Sequence, residues 1–246
     1  GYGRMSSPEA ILESLSNEVE KNELDGIRIL VSAGPTREPI DPVRFISNYS
    51  SGKMGYALAE SARNLGADVE LISGPVGIKM PENIKITSVE TSAEMLDAVL
   101  GKIPYCDVFI SAAAISDYRP SHKLTEKHKS SDGELVIRLE RGEDILKLAK
   151  ETKAGLYAVG FSAETNNISD NAKIKLEKKN IDMIISNEAN HQKGLGFESD
   201  MNEVCIIEKD SMLKIPKNTK RIIADIILSR IAKNIKGNLI KIKNAR

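Results

Sequence analysis

The sequence predicts an α/β fold: a doubly wound, mostly parallel sheet in a three-layer αβα sandwich. Three observations predict it. β-Branched apolar runs alternate with segments of helical period over most of the 246 residues. "DVFISAAA" (107–114) and "GLYAVGF" (155–161) are apolar almost without interruption, as strands covered on both faces are. Gly and Pro break the runs at their ends, in "SAGP" and "SGPV".

Residues 7–22 read as a helix, with Ser7 as N-cap and Pro8 in the first helical position. "IRILVSAG" is the first strand, ended by Gly34, and a long loop runs to Ser51. Residues 52–65 place Ala57, Leu58, Ala62 and Leu65 at helical spacing. "ADVELIS" and "NIKITSV" are strands. Thr91, three before Glu94, forms a capping box that opens a helix through Ile103. The alternation in "ELVIRL" (134–139) predicts a half-exposed strand, and strands from about residue 135 on are expected to leave the parallel order. "ETNNISDNAKIKLEKKN" is a helix, "IDMIISN" and "EVCIIE" are strands, and "KNTKRIIADIILSRIAKNI" (217–235) is an amphipathic helix before a basic tail.

Composition narrows the function classes. Lys plus Arg and Asp plus Glu each number 35, and aromatic residues make up 4%. Neither a nucleic-acid partner nor a membrane partner is expected. The apolar stretch Val108–Ser116 is too short to span a bilayer, and no signal-peptide pattern opens the chain, so a cytoplasmic protein is expected. Cys106 and Cys205 lack CxxC spacing and read as small core residues, and His122, His128 and His191 form no metal motif.

"FISNYSSGKMGYALAE" (45–60) sets polar and glycine residues immediately before a helix. A helix start attracts anions, Gly52 and Gly55 permit close approach, Ser50 and Ser51 offer hydroxyls and Lys53 adds charge. Ordinary capping is the alternative. The stretch is not a P-loop, because Met54 follows Gly52-Lys53 and Ser47 stands at the first Gly position. Nor does "SAGPTREPID" supply GxGxxG, so the fold reads as Rossmann-like without the dinucleotide rule.

"AGPTREPIDPVRFISNYSSGKMG" resembles the signature of the phosphopantothenoylcysteine synthetase family. "SAAAISDYRP", the flap "EKHK", "VGFSAETNN", "ISNEAN" and "GFESDMNEV" follow in the family's order, so the resemblance covers about Ile27 to Ile235. "GYGRMSSPEAIL" is similar to the end of the partner decarboxylase domain of bifunctional proteins. The resemblance therefore implies a synthetase half: residues 1–24 as the end of a flavin-dependent decarboxylase domain and a linker helix, 25–236 as the synthetase domain, and 237–246 as a basic tail.

It also implies a reaction. The family joins 4′-phosphopantothenate to L-cysteine, with CTP as co-substrate and Mg²⁺ on the triphosphate, as a homodimer that uses a flap and extra strands. Asn48 matches the family residue at the reacting acyl group, and Lys127 matches the flap lysine that neutralises charge. Gly34, Ser50, Ser51, Gly52 and Gly55 match positions around the phosphates. Ser111, Ala112, Ala113, Asp117, Phe161, Lys175 and Lys179 match nucleotide contacts. Asp144, Ile145 and Leu146 survive in "ERGEDIL", where Gly142 and Glu143 replace the family's Asn-Pro; a carboxylate there is awkward beside a triphosphate. No protein metal ligand is identified. On residue chemistry alone Asn48 is also a turn residue, "EKHK" a solvated charge run and Phe161 a core residue. The competing functions are an NAD(P)-dependent oxidoreductase, for which "ELISGPV" lacks the ribose-binding acid, and a nonenzymatic nucleotide-binding module.

Overall fold

The computed structural model describes residues 22–129, 131, 133–164, 168–188 and 199–244. The helix expected from Ser7, His191 and parts of "ISNEAN" and "GFESDMNEV" lie outside the described residues.

In chain order the strands are β1 (Arg28–Ala33), β2 (Glu38–Pro39), β3 (Phe45–Ile46), β4 (Asp68–Ser73), β5 (Lys85–Ser88), β6 (Val108–Ser111), β7 (Tyr118–Pro120), β8 (Leu139–Arg141), β9 (Tyr157–Glu164), β10 (Met183–Glu188), β11 (Met201–Ile207) and β12 (Met212–Thr219). The helices are α1 (Lys53–Asn64), α2 (Ser92–Lys102), α3 (Ile145–Thr152), α4 (Ile168–Lys179) and α5 (Lys220–Asn244). Eight strands form one sheet in the order β12-β11-β10-β9-β6-β1-β4-β5. From β5 to β10 every pairing is parallel, whereas β11 and β12 are antiparallel. Numbered among themselves, the parallel strands run 3-2-1-4-5-6. The order reverses between β1 and β6, and ligands bind beyond the strand ends at such a switch point.

Period-two alternation builds a core on each face. Val31, Leu71, Ile110, Val159 and Ile185 point to the side covered by α1 and α5. Leu30, Ile72, Phe109, Ala158 and Ile184 point to the side covered by α2, α3 and α4. Each such leucine or isoleucine contributes roughly 1.5–3 kcal/mol by burial. The three layers expected from the sequence are present.

Three expectations are corrected. β9 and β10 stay in the parallel order, whereas β11 and β12 leave it within the main sheet and β8 pairs antiparallel with β7 outside it. "ELVIRL" is not a strand until Leu139. Only β8 finds a partner, β7, and Val136 is 81% exposed, so the alternation there marks no sheet face. Residues 217–219 close β12 rather than opening a helix, and α5 continues to Asn244 through the expected tail. β12 escaped notice because it contains Pro216. It is an edge strand, and its register slips between Asn202 and Val204 opposite that proline, where a missing N–H is tolerated. The expected capping box is half formed: Thr91 accepts from the Glu94 N–H (3.2 Å), whereas the Glu94 carboxylate accepts from the Glu90 N–H (2.7 Å), one residue before the N-cap.

Candidate active site

The carboxyl ends of β1 and β6 are stitched together across the switch point. Ala112 N–H donates to Ser32 O (3.1 Å), Ala114 N–H to Gly34 O (2.9 Å) and Thr36 N–H to Ala114 O (3.2 Å). Buried Thr36 accepts from Ser116 N–H (3.0 Å). The small residues Ser111, Ala112 and Ala113 thus form a half-buried frame beside the β1 loop.

Asn48 joins this frame. Its Nδ2 donates to Ala114 O (2.5 Å), and its Oδ1 accepts from Ser50 N–H (3.0 Å). It is therefore the turn residue that its type suggests and also a clamp between the two loops. An amide nitrogen carries two protons, of which Ala114 takes one.

α1 starts at Gly52, in the left-handed region at φ 76°, with no side-chain cap and no acidic residue in its first turn. α2 and α3 are treated differently. Ser92 N–H meets the buried carboxylate of Glu38 (2.9 Å), and Lys147 N–H meets Asp144 (3.2 Å). The start of α1 thus keeps the partial positive charge that favours an anion.

The glycines serve packing first. A Cβ on Gly34 or Gly52 would lie 2.9 or 2.6 Å from Val76 Cγ1, and one on Gly55 would lie 2.5 Å from the Ala33 methyl. Close approach to Gly34 and Gly52, expected from a phosphate, is made by the loop after β4.

Beyond that loop lies a cleft of about 450 Å³, between Arg37, Phe45, Asn48 and Ser51 on one side and Pro75 and Ile78 on the other. The Arg37 guanidinium sits over the Phe45 ring, 4.7 Å from its centre. The flap built on β7 and β8 is anchored to the same loop: Leu124 N–H donates to Ile40 O (2.9 Å), and Arg44 donates to His128 O. Buried Asp41 holds Arg44, with Nε to Oδ2 at 2.9 Å. Burial opposes ionisation of Asp41, but the Val43 and Arg44 N–H groups and the Arg44 charge outweigh it and keep its carboxyl below the usual range. Lys127 projects from this flap with an exposed side chain, and Asp117 is exposed at its foot.

A second group gathers where β9 ends. Lys175 donates to Ser162 (2.9 Å), and Lys179 pairs with Asp144 at 2.8 Å. Phe161 is half-buried against the core. Ile145 and Leu146 are 3% and 7% exposed, so their side chains are core and only their backbone could meet a nucleotide. The structure thus gathers Gly34, Asn48, Ser50, Gly52 and Ser111–Ala113 around one point, and Asp144, Phe161, Lys175 and Lys179 around the adjacent strand end. Arg37, Asp41 and Arg44 carried a signal, lying inside the quoted signature, yet received no role from the sequence. Asp200, inside the quoted "GFESDMNEV", likewise received no role, and Lys220 carried no signal. Lys53 Nζ donates to Asp200 Oδ1 (2.7 Å), beside Lys220, which is 6% exposed. Among the described residues no three His, Cys, Asp or Glu side chains converge as a metal seat, and no helix is long and apolar enough to cross a membrane.

Comparison with known proteins places this arrangement. Residues 24–235 match the family model described as DNA/pantothenate metabolism flavoprotein C-terminal domain. The chain is 40% identical over 234 residues to the Coenzyme A biosynthesis bifunctional protein CoaBC of Vibrio vulnificus (strain CMCP6), covering 94% of this chain and 58% of that protein. It is 41% identical over 237 residues to the protein of the same name in Bacillus subtilis (strain 168), with the same coverage. It therefore spans little more than half the length of these relatives. Among solved structures, it superposes on a crystal structure of the C-terminal domain of a CoaBC protein with a TM-score of 0.75 and 42% identity, over 88% of this chain and 99% of that one. A sheet with its order reversed at β1 and β6, an uncapped helix start at that reversal and a match over nearly the whole chain lead to one conclusion: the chain belongs to the DNA/pantothenate metabolism flavoprotein C-terminal domain family.

Proposed function

We propose that this chain is the ligase section of a coenzyme A biosynthesis enzyme, joining 4′-phosphopantothenate to L-cysteine with CTP. The observation that carries the reading is the uncapped start of α1 at the switch point, bordered by Ser111–Ala113 on one side and by the Arg37–Asn48 cleft on the other. The relatives' name, coenzyme A biosynthesis bifunctional protein, supplies the pathway.

The chemistry asks little covalent work of the protein. The acid's carboxylate oxygen attacks the α-phosphorus of CTP, and pyrophosphate leaves with the electron pair of the broken P–O bond. The cysteine amine then attacks the acyl carbon of the acyl-cytidylate, CMP leaves, and the amine gives up a proton. The first turn of α1 and Ser50 and Ser51 seat the phosphates. Asn48 donates to the developing negative charge at the acyl group, and Lys127, on its tethered flap, neutralises charge in the first step. Donors of this kind are worth roughly 3 kcal/mol each. Ser111–Ala113, Asp117, Phe161, Lys175 and Lys179 border the place for the nucleoside. Among the described residues no carboxylates converge as a metal seat, so Mg²⁺ would be held by the phosphates and water, where it screens their charge.

An oxidoreductase reading is disfavoured by the end of β4. Ser73 there is buried, meets Tyr56 Oη at 3.0 Å and donates to Gly74 O, while Val76 covers Gly34 and Gly52. The path a dinucleotide pyrophosphate takes over the first turn is filled. The remaining parts of the proposal are a cytoplasmic homodimer, with exposed Tyr118, Val136 and Leu139 of the flap region available to a second copy, and a flavin-dependent decarboxylase domain preceding residue 25 in the full protein.

The test is to incubate the chain with 4′-phosphopantothenate and each nucleoside triphosphate, without cysteine, and to seek the acyl-nucleotide by mass spectrometry. Acyl-cytidylate is expected with CTP. Its absence with every nucleotide refutes the reading.

A further inference from the structure

Thr36 lies beneath the clamp that Asn48 makes with Ala114. It is 0% exposed and follows Pro35, which forms an isolated parallel bridge with Ala114. Its N–H donates to Ala114 O (3.2 Å), its carbonyl accepts from Ser47 Oγ (2.7 Å) and its Oγ1 accepts from Ser116 N–H (3.0 Å). Ser47 immediately precedes Asn48, and Ser116 lies on the same loop as Ala114. Thr36 therefore grips both halves of the clamp, the second across 80 residues of chain.

The Asn48 amide is held at both ends. Its Nδ2 donates to Ala114 O at 2.5 Å, and its Oδ1 accepts from Ser50 N–H at 3.0 Å. One Nδ2 proton is left, on the cleft that Asn48 lines. Where that proton points depends on where Ala114 O stands, and Ala114 is fixed by its bonds to Gly34 and Thr36. Valine has the same branched shape as threonine but no acceptor. A buried hydroxyl is costly unless it is bonded, and this one serves the loop that carries Ala114. Full burial keeps Thr36 from touching a substrate, so any effect on the reaction passes through Asn48.

Resting on the ligase reading, we propose that Thr36 is a positioning residue, whose hydroxyl and carbonyl hold the two loops so that the free Nδ2 proton of Asn48 meets the acyl group. A donor to developing charge acts through being aimed in advance. A displacement of about 1 Å at a reacting centre costs up to about 100-fold in rate.

The test measures turnover of the whole chain with 4′-phosphopantothenate, CTP and L-cysteine, by pyrophosphate release. Deuterium exchange of the Asn48 side-chain amide, followed by NMR, gives a readout independent of activity. Thr36→Val is expected to lower kcat about 10- to 100-fold while each KM stays within about 2-fold of wild type. Exchange of the Asn48 amide is expected to quicken about 10-fold as the hold of Ala114 O loosens. Thr36→Ser keeps the acceptor and restores both values. In an Asn48→Ala background, Thr36→Val costs less than about 2-fold more, because no amide is left to aim. An equal loss with and without Asn48, a raised KM at unchanged kcat, or unchanged exchange in a folded Thr36→Val protein overturns the inference. Should Thr36→Val fail to fold, Ser47→Ala decides: faster exchange with a kcat loss confined to chains that keep Asn48 supports it, and any other result overturns it. Wild type that releases no pyrophosphate with any triphosphate sinks the ligase reading alone, and the exchange rates then decide the role of Thr36. Wild type that turns over while Thr36→Val matches it sinks the role of Thr36 alone.

Discussion

Substituting Gly52 by alanine tests whether the loop after β4, rather than a ligand, dictates glycine at the start of α1. Two penalties add. The residue sits at φ 76°, which costs an L-residue roughly 1–2 kcal/mol. The new methyl would also stand 2.6 Å from Val76 Cγ1, about 1 Å inside contact distance, and overpacking of this kind costs about 1–3 kcal/mol. The second penalty disappears if Val76 is shortened. Val76 is only half-buried, so Val76→Ala alone is expected to cost about 1 kcal/mol or less. Urea unfolding followed by far-UV circular dichroism should therefore show Gly52→Ala losing roughly 2–5 kcal/mol. The double variant should recover about 1–3 kcal/mol of that relative to additivity. A Gly52→Ala protein within about 1 kcal/mol of wild type, or one that Val76→Ala does not rescue, would refute the packing account and return Gly52 to a ligand-only role.

Three further outcomes follow from the geometry. Asn48→Asp keeps the acceptor for Ser50 N–H but sets a carboxylate oxygen against Ala114 O, so its acyl-nucleotide synthesis should fall about 100-fold or more, like that of Asn48→Ala; near-normal synthesis by either would remove the donor role. Lys220 titrates near 8 in the fold against 10.5 outside it, so below pH 8 its protonated form carries the full burial penalty, and stability rises as pH passes from about 8 to 10.5. Thermal unfolding should accordingly place Lys220→Met above wild type by up to about 3 kcal/mol at pH 7, with the gap closing toward pH 10; a gap independent of pH counts against it. Asp144→Asn should stay within about 0.5 kcal/mol of wild type, because asparagine still caps α3 and the half-exposed pair with Lys179 is weak, whereas Asp144→Ala should lose about 1 kcal/mol; equal losses in denaturant melts would show that the charge, not the cap, matters.

The parallel strands were legible because each carries its instruction locally. Val108-Phe109-Ile110 can be buried only between two apolar layers, and Thr91 and Glu94 announce a helix start whatever surrounds them. Sheet order was not legible. Hydrophobic pattern tells a strand that it has neighbours but not which, so nothing in "IDMIISN" separated a parallel partner from an antiparallel one. Residues 134–138 failed for a related reason: alternation promises a sheet face only where a second strand runs alongside, and the ladder with Tyr118–Pro120 ends at Leu139. Pro216 hid β12, since a proline reads against a strand until the bulge and the sheet edge are known. At the site, glycines in a polar loop announce close approach but not by what. Lys220 sits where a sequence shows an ordinary surface lysine, and its burial, next to the Lys53–Asp200 pair, is a property of the folded chain that brings residues far apart in sequence together.

The strand order and the filled first turn together constrain how substrates can lie. In a dinucleotide enzyme of this topology, phosphates cross the turn after the first strand toward the end of the second, where an acid receives the ribose. Here that route is closed twice, by Val76 over the two glycines and by the Tyr56–Ser73 contact. On the proposed ligase reading, a nucleotide whose phosphates meet the start of α1 would therefore be turned the other way, with its nucleoside over β6 and β9, where Ser111–Ala113 are small and Lys175 and Lys179 are near. That leaves the Arg37–Asn48 cleft for a different molecule, and Asn48 sits on both boundaries, clamped to Ala114 of the nucleoside side while lining the cleft. A side chain so placed can meet an acid and an α-phosphate at once, which is the requirement of a reaction whose leaving group belongs to the co-substrate and not to the protein. A bound nucleotide found with its base over β4 and β5 would break this argument at its first step.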